Sequence, residues 1–213
     1  MVVVLGTSSG FVTAAPTANP AGAPAVIDGW SSVTHDTSPA TAAKITEIGW
    51  WCDTASEEAN FEVALYAADG ASGVAGTRLY VSATNAKGTT AGWKRVTVDW
   101  TITGSTAYWL AVQCGAVDTI TYIDAKTTDG TGYDRVAQST LNDPYGGGAP
   151  ADADGMMAIY VLWESGEVGG TNCQINIGDS FKTISGIQIN IGDAWKPVTS
   201  AKINIGDSWK TVF

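Results

Sequence analysis

The sequence predicts an all-β chain: an antiparallel β-sandwich followed by a small C-terminal β-hairpin repeat module. Three observations carry that expectation. Apolar runs, alternating or continuous, recur between residues 44 and 164; clusters of Gly, Asn, Asp and Ser separate them; and no stretch shows a convincing helical period. Composition agrees, since Thr, Ser, Gly and Ala are abundant, nine Trp are present and only 15% of residues are charged. Such a mixture supplies both pleat-filling and turn-forming residues. At 213 residues the chain holds one ordinary core plus an appendage, or two small domains.

Residues 1–27 read as an extended N-terminal arm. Pro16, Pro20 and Pro24 stand among Ala, Gly and Thr, a spacing that denies both a helix and a central strand; Val2–Leu5 could make one strand. The sandwich is expected over residues 28–164. Its strand signals are Lys44–Cys52, Phe61–Ala68, Thr77–Thr84, Trp93–Ile102, Ala107–Gly115, Ile120–Lys126 and Gly155–Glu164. Asp129–Asp154 lacks strand periodicity and reads as a large loop across one end, the kind of segment that carries contacts. Residues 165–171, SGEVGGT, form a Gly-rich linker.

Residues 172–213 hold three near-copies of one phrase at 14-residue spacing: INIGDSFK at Ile175–Lys182, INIGDAWK at Ile189–Lys196 and INIGDSWK at Ile203–Lys210. Gly followed by a polar residue suits a two-residue hairpin loop, with Gly178, Gly192 and Gly206 setting the turns. That turn would put Ile177 opposite Ser180, Asn176 opposite Phe181 and Ile175 opposite Lys182. Three such units make either a six-strand meander or a stack of hairpins. A β domain this short, with neither disulfide nor metal, buries too little surface to stand alone. The seam Ile175, Ile177, Ile189, Ile191, Ile203 and Ile205, with Phe181, Trp195 and Trp209 as anchors, is therefore expected to bind the sandwich, another copy or a partner protein. A self-contained cap on the sandwich is the competing reading.

Several functions fit poorly. A formal charge of −10, with eleven Lys and Arg scattered singly, argues against nucleic-acid binding. Val2–Leu5 is too short for a signal h-region or a membrane span, so no membrane partner is expected and use from the cytoplasm is the simple reading. Cys52, Cys114 and Cys173 match no zinc or disulfide framework. They read as buried thiols, with a cross-link from Cys173 to another chain as the sharper alternative. GTSSG at Gly6–Gly10 matches a nucleophile elbow, yet Phe11–Pro20 cannot continue as its helix, and Ser8, His35 and Asp36 do not follow the chain order of that template. Nothing places two of Glu57, Glu58 and Glu62 across a sugar. Asp152–Gly155 and Thr127–Asp134 put oxygen ligands near Gly, as calcium loops do, but turn chemistry explains them better. No enzyme, catalytic residue, metal site or cofactor is expected. Trp30, Tyr133 and Tyr145 fall in expected loops and are candidate glycan contacts, whereas Trp50, Trp100, Trp109 and Trp163 fall in strands and belong to the core.

The tail resembles the tandem INIGDxWKxV segments at the ends of many tailed-phage proteins. The region before it resembles a phage-associated jelly-roll-like β-sandwich through Ile45–Trp51, Ala59–Gly70, Gly92–Gln113, Asp143–Gly147 and Met157–Glu164. The resemblance implies a virion component assembled in the host cytoplasm, either a head decoration or fibre protein or part of the tail. Its partners would be other virion proteins and further copies of itself, gripped through the arm and the repeats, with a host glycan as a further candidate. Similar sandwiches occur in surface and glycan-binding proteins, so a surface or secreted carbohydrate-binding module is the alternative. No functional residues carry over from either family.

Overall fold

Alternation along each strand decides which side chains are buried between sheets and which lie outside. The computed structural model describes residues 3–53, 59–115, 132–147 and 155–166 in full. It gives the backbone pairing alone of 54, 119–123, 174–176, 181–183, 188–190, 195–197, 202–205 and 208–211. The chain divides into two compact units, Met1–Glu164 and Ser165–Phe213.

The first unit is built from β1 (Gly10–Val12), β2 (Ala23–Val26), β3 (Trp30–Thr37), β4 (Ala42–Thr54), β5 (Asn60–Ala67), β6 (Arg78–Val81) and β7 (Asn85–Ala86). It continues through β8 (Gly92–Thr101), β9 (Ala107–Cys114), β10 (Thr119–Ile123), β11 (Tyr133–Ala137), β12 (Met156–Met157) and β13 (Ile159–Ser165). One sheet runs β1–β13–β4–β10–β12, with β2 on β10 and β8 on β4; the other runs β11–β3–β9–β5–β6, with β7 on β5. The pairings of β4 with β8 and of β9 with β3 and β5 are antiparallel. This is an all-β sandwich.

The main core lies between the sheets. β4 contributes Ile45, Ile48 and Trp50, β5 contributes Phe61, Val63 and Leu65, and β9 contributes Tyr108, Leu110 and Val112. Trp50 and Phe61 meet edge to face at 5.7 Å, a favoured aromatic geometry. Of the four tryptophans expected in the core, Trp50, Trp100 and Trp109 are buried and Trp163 packs against the core while partly exposed. Cys52 and Cys114 are fully buried; Cys173 lies outside the described residues.

Each sheet also carries a smaller apolar cluster on its outer face. On the six-stranded sheet, Val33, Ala64, Tyr66 and Trp109 are covered by Leu141 and Tyr145. The covering segment is tied down by Tyr66 Oη donating to the Asn142 carbonyl at 2.8 Å and the Tyr145 N–H donating to the Gly76 carbonyl at 3.0 Å. On the seven-stranded sheet, Val3 covers Trp51, Met156 and Ala158.

The N-terminal segment is therefore not a free arm. β1 runs parallel to β13, with Gly10 opposite Tyr160, and β2 pairs with β10. Between them the chain crosses β8, where Trp93 Nε1 donates to the Ala18 carbonyl at 3.0 Å and Arg95 Nη2 to the Pro16 carbonyl at 2.6 Å. The prolines forbid a helix, but carbonyl acceptors and a pairing through one edge remain open to them.

Two further strands depart from expectation. β3 sits in the middle of its sheet although Trp30–Thr37 has no apolar alternation: Ser31, Ser32 and Thr34 are fully buried. β11 forms within the segment expected to be one long loop, pairing with β3 from Tyr133↔Thr34 to Ala137↔Trp30.

Asp36, at the end of β3, fixes β1. Its carboxylate accepts the N–H of Phe11 at 2.8 Å and of Thr37 at 2.7 Å. Burial pushes this carboxyl above the usual carboxylate range, against the opposing pull of those two N–H groups and His35. Gly10 makes the approach feasible: its φ is +71°, and a Cβ there would stand 2.2 Å from Asp36 Oδ2.

Gly10→Ala should therefore lower the unfolding free energy by about 2 kcal/mol or more, strain and clash together. Gly88→Ala, at a φ of +73° with nothing within 4 Å of its Cβ, should cost about 1 kcal/mol from strain alone. Urea denaturation of the two variants measures the difference.

Candidate functional site

The first candidate is the tail. β14 (Gln174–Asn176) pairs with β15 (Phe181–Thr183), β16 (Gln188–Asn190) with β17 (Trp195–Pro197), and β18 (Lys202–Ile205) with β19 (Ser208–Thr211). The expected register is the one observed: Ile175↔Lys182 and Asn176↔Phe181 in the first copy, Ile189↔Lys196 and Asn190↔Trp195 in the second, Ile203↔Lys210 and Asn204↔Trp209 in the third. The third copy also pairs Ile205 with Ser208. Each hairpin is a two-stranded sheet of its own, so among the described residues there is no six-strand meander. Ile177, Ile191, Gly178, Gly192 and Gly206 lie outside the described residues.

The candidate glycan contacts are not brought together. Tyr145 is fully buried, its ring 5.3 Å from that of Tyr66 and its hydroxyl donating to the Ser31 carbonyl at 3.0 Å. Burial pushes its hydroxyl pKa far up. It is a packing residue, and the expectation of a surface contact is corrected: a loop that folds back over a sheet buries its aromatic. Tyr133 belongs to β11 rather than a loop and packs against the main core. Trp30, the first residue of β3, stays 37% exposed, with the Arg135 guanidinium 4.9 Å from the ring centroid, a cation–π contact.

The second candidate was not foreseen. A cleft of about 370 Å³ opens where β5 begins and β9 ends, lined among others by Asp28, Asn60, Glu62, Thr84, Gln113 and Ser139. Two strand registers build it. Ser31 of β3, Gln113 of β9 and Glu62 of β5 stand side by side across the sheet. Gln113 alternates with the core residues Val112 and Cys114, so it belongs to the outer face with Trp109 and Ala111. Thr84 Oγ1 donates to Glu62 Oε1 at 3.0 Å, and Gln138 Nε2 donates to Ser31 Oγ at 2.5 Å. Asp28 enters from the turn before β3, closed by the Trp30 N–H donating to the Ile27 carbonyl at 3.0 Å with Gly29 at a φ of +66°.

The residues weighed for hydrolysis have structural partners. Ser8 Oγ accepts the Val4 N–H at 3.0 Å, Asp36 holds β1, and the His35 ring lies 4.9 Å from that of Trp109. Among the described residues no group of three His, Cys, Asp or Glu is placed to hold a metal ion. Of the calcium-like stretches, only Gly132–Asp134 and Gly155 are described.

Tyr145→Ala should cost about 3–5 kcal/mol, the range for removing a buried aromatic, whereas Trp30→Ala should cost about 1 kcal/mol for a half-open cation–π contact. Chemical denaturation of both separates the packing aromatic from the accessible one.

No family model, curated protein or solved structure matches this chain.

Proposed function

We propose that this chain is a non-enzymatic structural component of a tailed-phage virion, a head decoration, fibre or tail protein, held to neighbouring subunits by its C-terminal repeats. One observation carries the reading: each repeat is a separate two-stranded ribbon of identical register. An isolated two-stranded hairpin is marginal in water, and each leaves two strand edges to pair or cover. Three equal, individually weak units are suited to docking on a surface outside themselves, where their contacts reinforce one another. The N-terminal segment leaves this proposal, because its backbone is committed to β10 and β13. The net charge of −10 fits solubility before assembly in the host cytoplasm.

Removing residues 172–213 should leave the thermal unfolding of the sandwich unchanged while abolishing incorporation into particles. Incorporation undiminished by that deletion would overturn the proposal. Within the full chain, Trp195→Ala combined with Trp209→Ala should weaken attachment about tenfold or more, the loss expected of aromatic anchors, and Lys196→Ala should change it little. Pelleting with assembled particles reads both.

A further inference from the structure

We infer that the cleft at the junction of β5 and β9 is a binding site for a neutral, hydroxyl-rich ligand, one or two sugar units in size. The inference stands on the sandwich alone and is independent of how the tail attaches.

The first support is an amide at a strand end that is otherwise apolar. Gln113 follows the apolar run Tyr108–Val112, is only 6% exposed and lines the cleft. What little of it is accessible faces that opening, where its amide offers a ligand both an acceptor and donors.

The second support is preorganisation. Gln113 is locked between Ser31 and Glu62 by the strand registers on either side. Glu62 is held by the Thr84 hydroxyl and Ser31 by Gln138. Polar groups fixed before the ligand arrives lose little freedom on binding.

The chemistry of the lining selects the ligand class. Asp28 and Glu62 bring carboxylates, Asn60 and Gln113 amides, and Ser139 and Thr140 hydroxyls; among the described residues no Lys, Arg or His lines the cleft. Phosphates and acidic sugars would meet carboxylates with no compensating cation. Sugar hydroxyls donate to carboxylates and exchange hydrogen bonds in both directions with amides. Two neighbouring hydroxyls match the two oxygens of a carboxylate or the O and N of an amide. A calcium ion fits less well, because it needs 6–8 oxygen ligands and the Gln113 amide also presents N–H donors. A volume of about 370 Å³ lies at the small end of ligand sites, which limits the occupant to one or two rings.

The test uses the full chain and ligand-observed NMR, with calorimetry on any hit. The probes are neutral mono- and disaccharides of glucose, galactose, mannose and N-acetylglucosamine, with a sialylated trisaccharide and calcium chloride as comparators. A neutral sugar is expected to bind. Its affinity should fall about tenfold or more in Gln113→Ala and in Glu62→Gln, the loss of one or two hydrogen bonds, and stay unchanged in Trp30→Ala. Glu62→Gln preserves volume and the Thr84 contact, so it reports on the site even if Gln113→Ala unfolds, which circular dichroism reads. Absence of neutral-sugar binding at tens of millimolar would overturn the inference. So would binding unaltered by Glu62→Gln, or binding of calcium or the acidic sugar alone.

Discussion

The register of β9 against β3 and β5 is the constraint on which the sandwich depends. It sends Tyr108, Leu110, Val112 and Cys114 into the space between the sheets and Trp109, Ala111 and Gln113 to the outer face. A slip of one residue on either side would exchange those two sets. The same register places Gln113 between Ser31 and Glu62, so the core and the polar cleft are products of one pairing. Among the described residues, strands place Asn60, Phe61, Glu62 and Gln113 at the cleft, and the segments between strands add Asp28, Thr84 and Ser139.

The two units of the chain obtain stability differently. In the first, three apolar clusters are layered through the two sheets, and every long strand has a neighbour to bury its backbone groups. In the second, each ribbon satisfies only the inner row of its backbone hydrogen bonds, since its strands pair with one another and with no third strand among the described residues. A two-stranded pairing alone compensates little of the ordering entropy, and that is the physical basis of the proposal that the tail docks on a surface outside itself.

Legibility in the sequence followed apolar pattern. β4, β5, β8 and β9 were readable because their buried positions are Ile, Val, Leu and Trp, and the hairpin register was readable because a Gly-Asp pair fixes which residues face each other. β3 was invisible for the opposite reason: of its four buried residues only Val33 is apolar, and Ser31, Ser32 and Thr34 resemble a solvated turn. β1 is only three residues long, β2 carries Pro24 and β11 is largely polar, and they exist because an adjacent strand offers its edge. Tyr145 was misplaced because a loop's burial depends on what it covers. The one local sign of the cleft was Gln113 closing an otherwise apolar run. Its neighbours Ser31 and Glu62 come from strands 82 and 51 residues away in the chain, a proximity that only the sheet order supplies.

The parallel seam between Gly10–Val12 and Tyr160–Leu162 has a consequence for how the molecule is made. β1 is synthesised well before β13 and cannot pair until β13 is made, so that edge of the sheet stays unsealed over the whole interval. Closure over such a span adds little to the equilibrium cost, which rises only with the logarithm of loop length, but pairings this distant slow folding. During that interval Phe11 and the face it will cover are open to other nascent chains. Chaperone demand during production should thus be set by the wait for residues 160–162 rather than by the finished fold's stability.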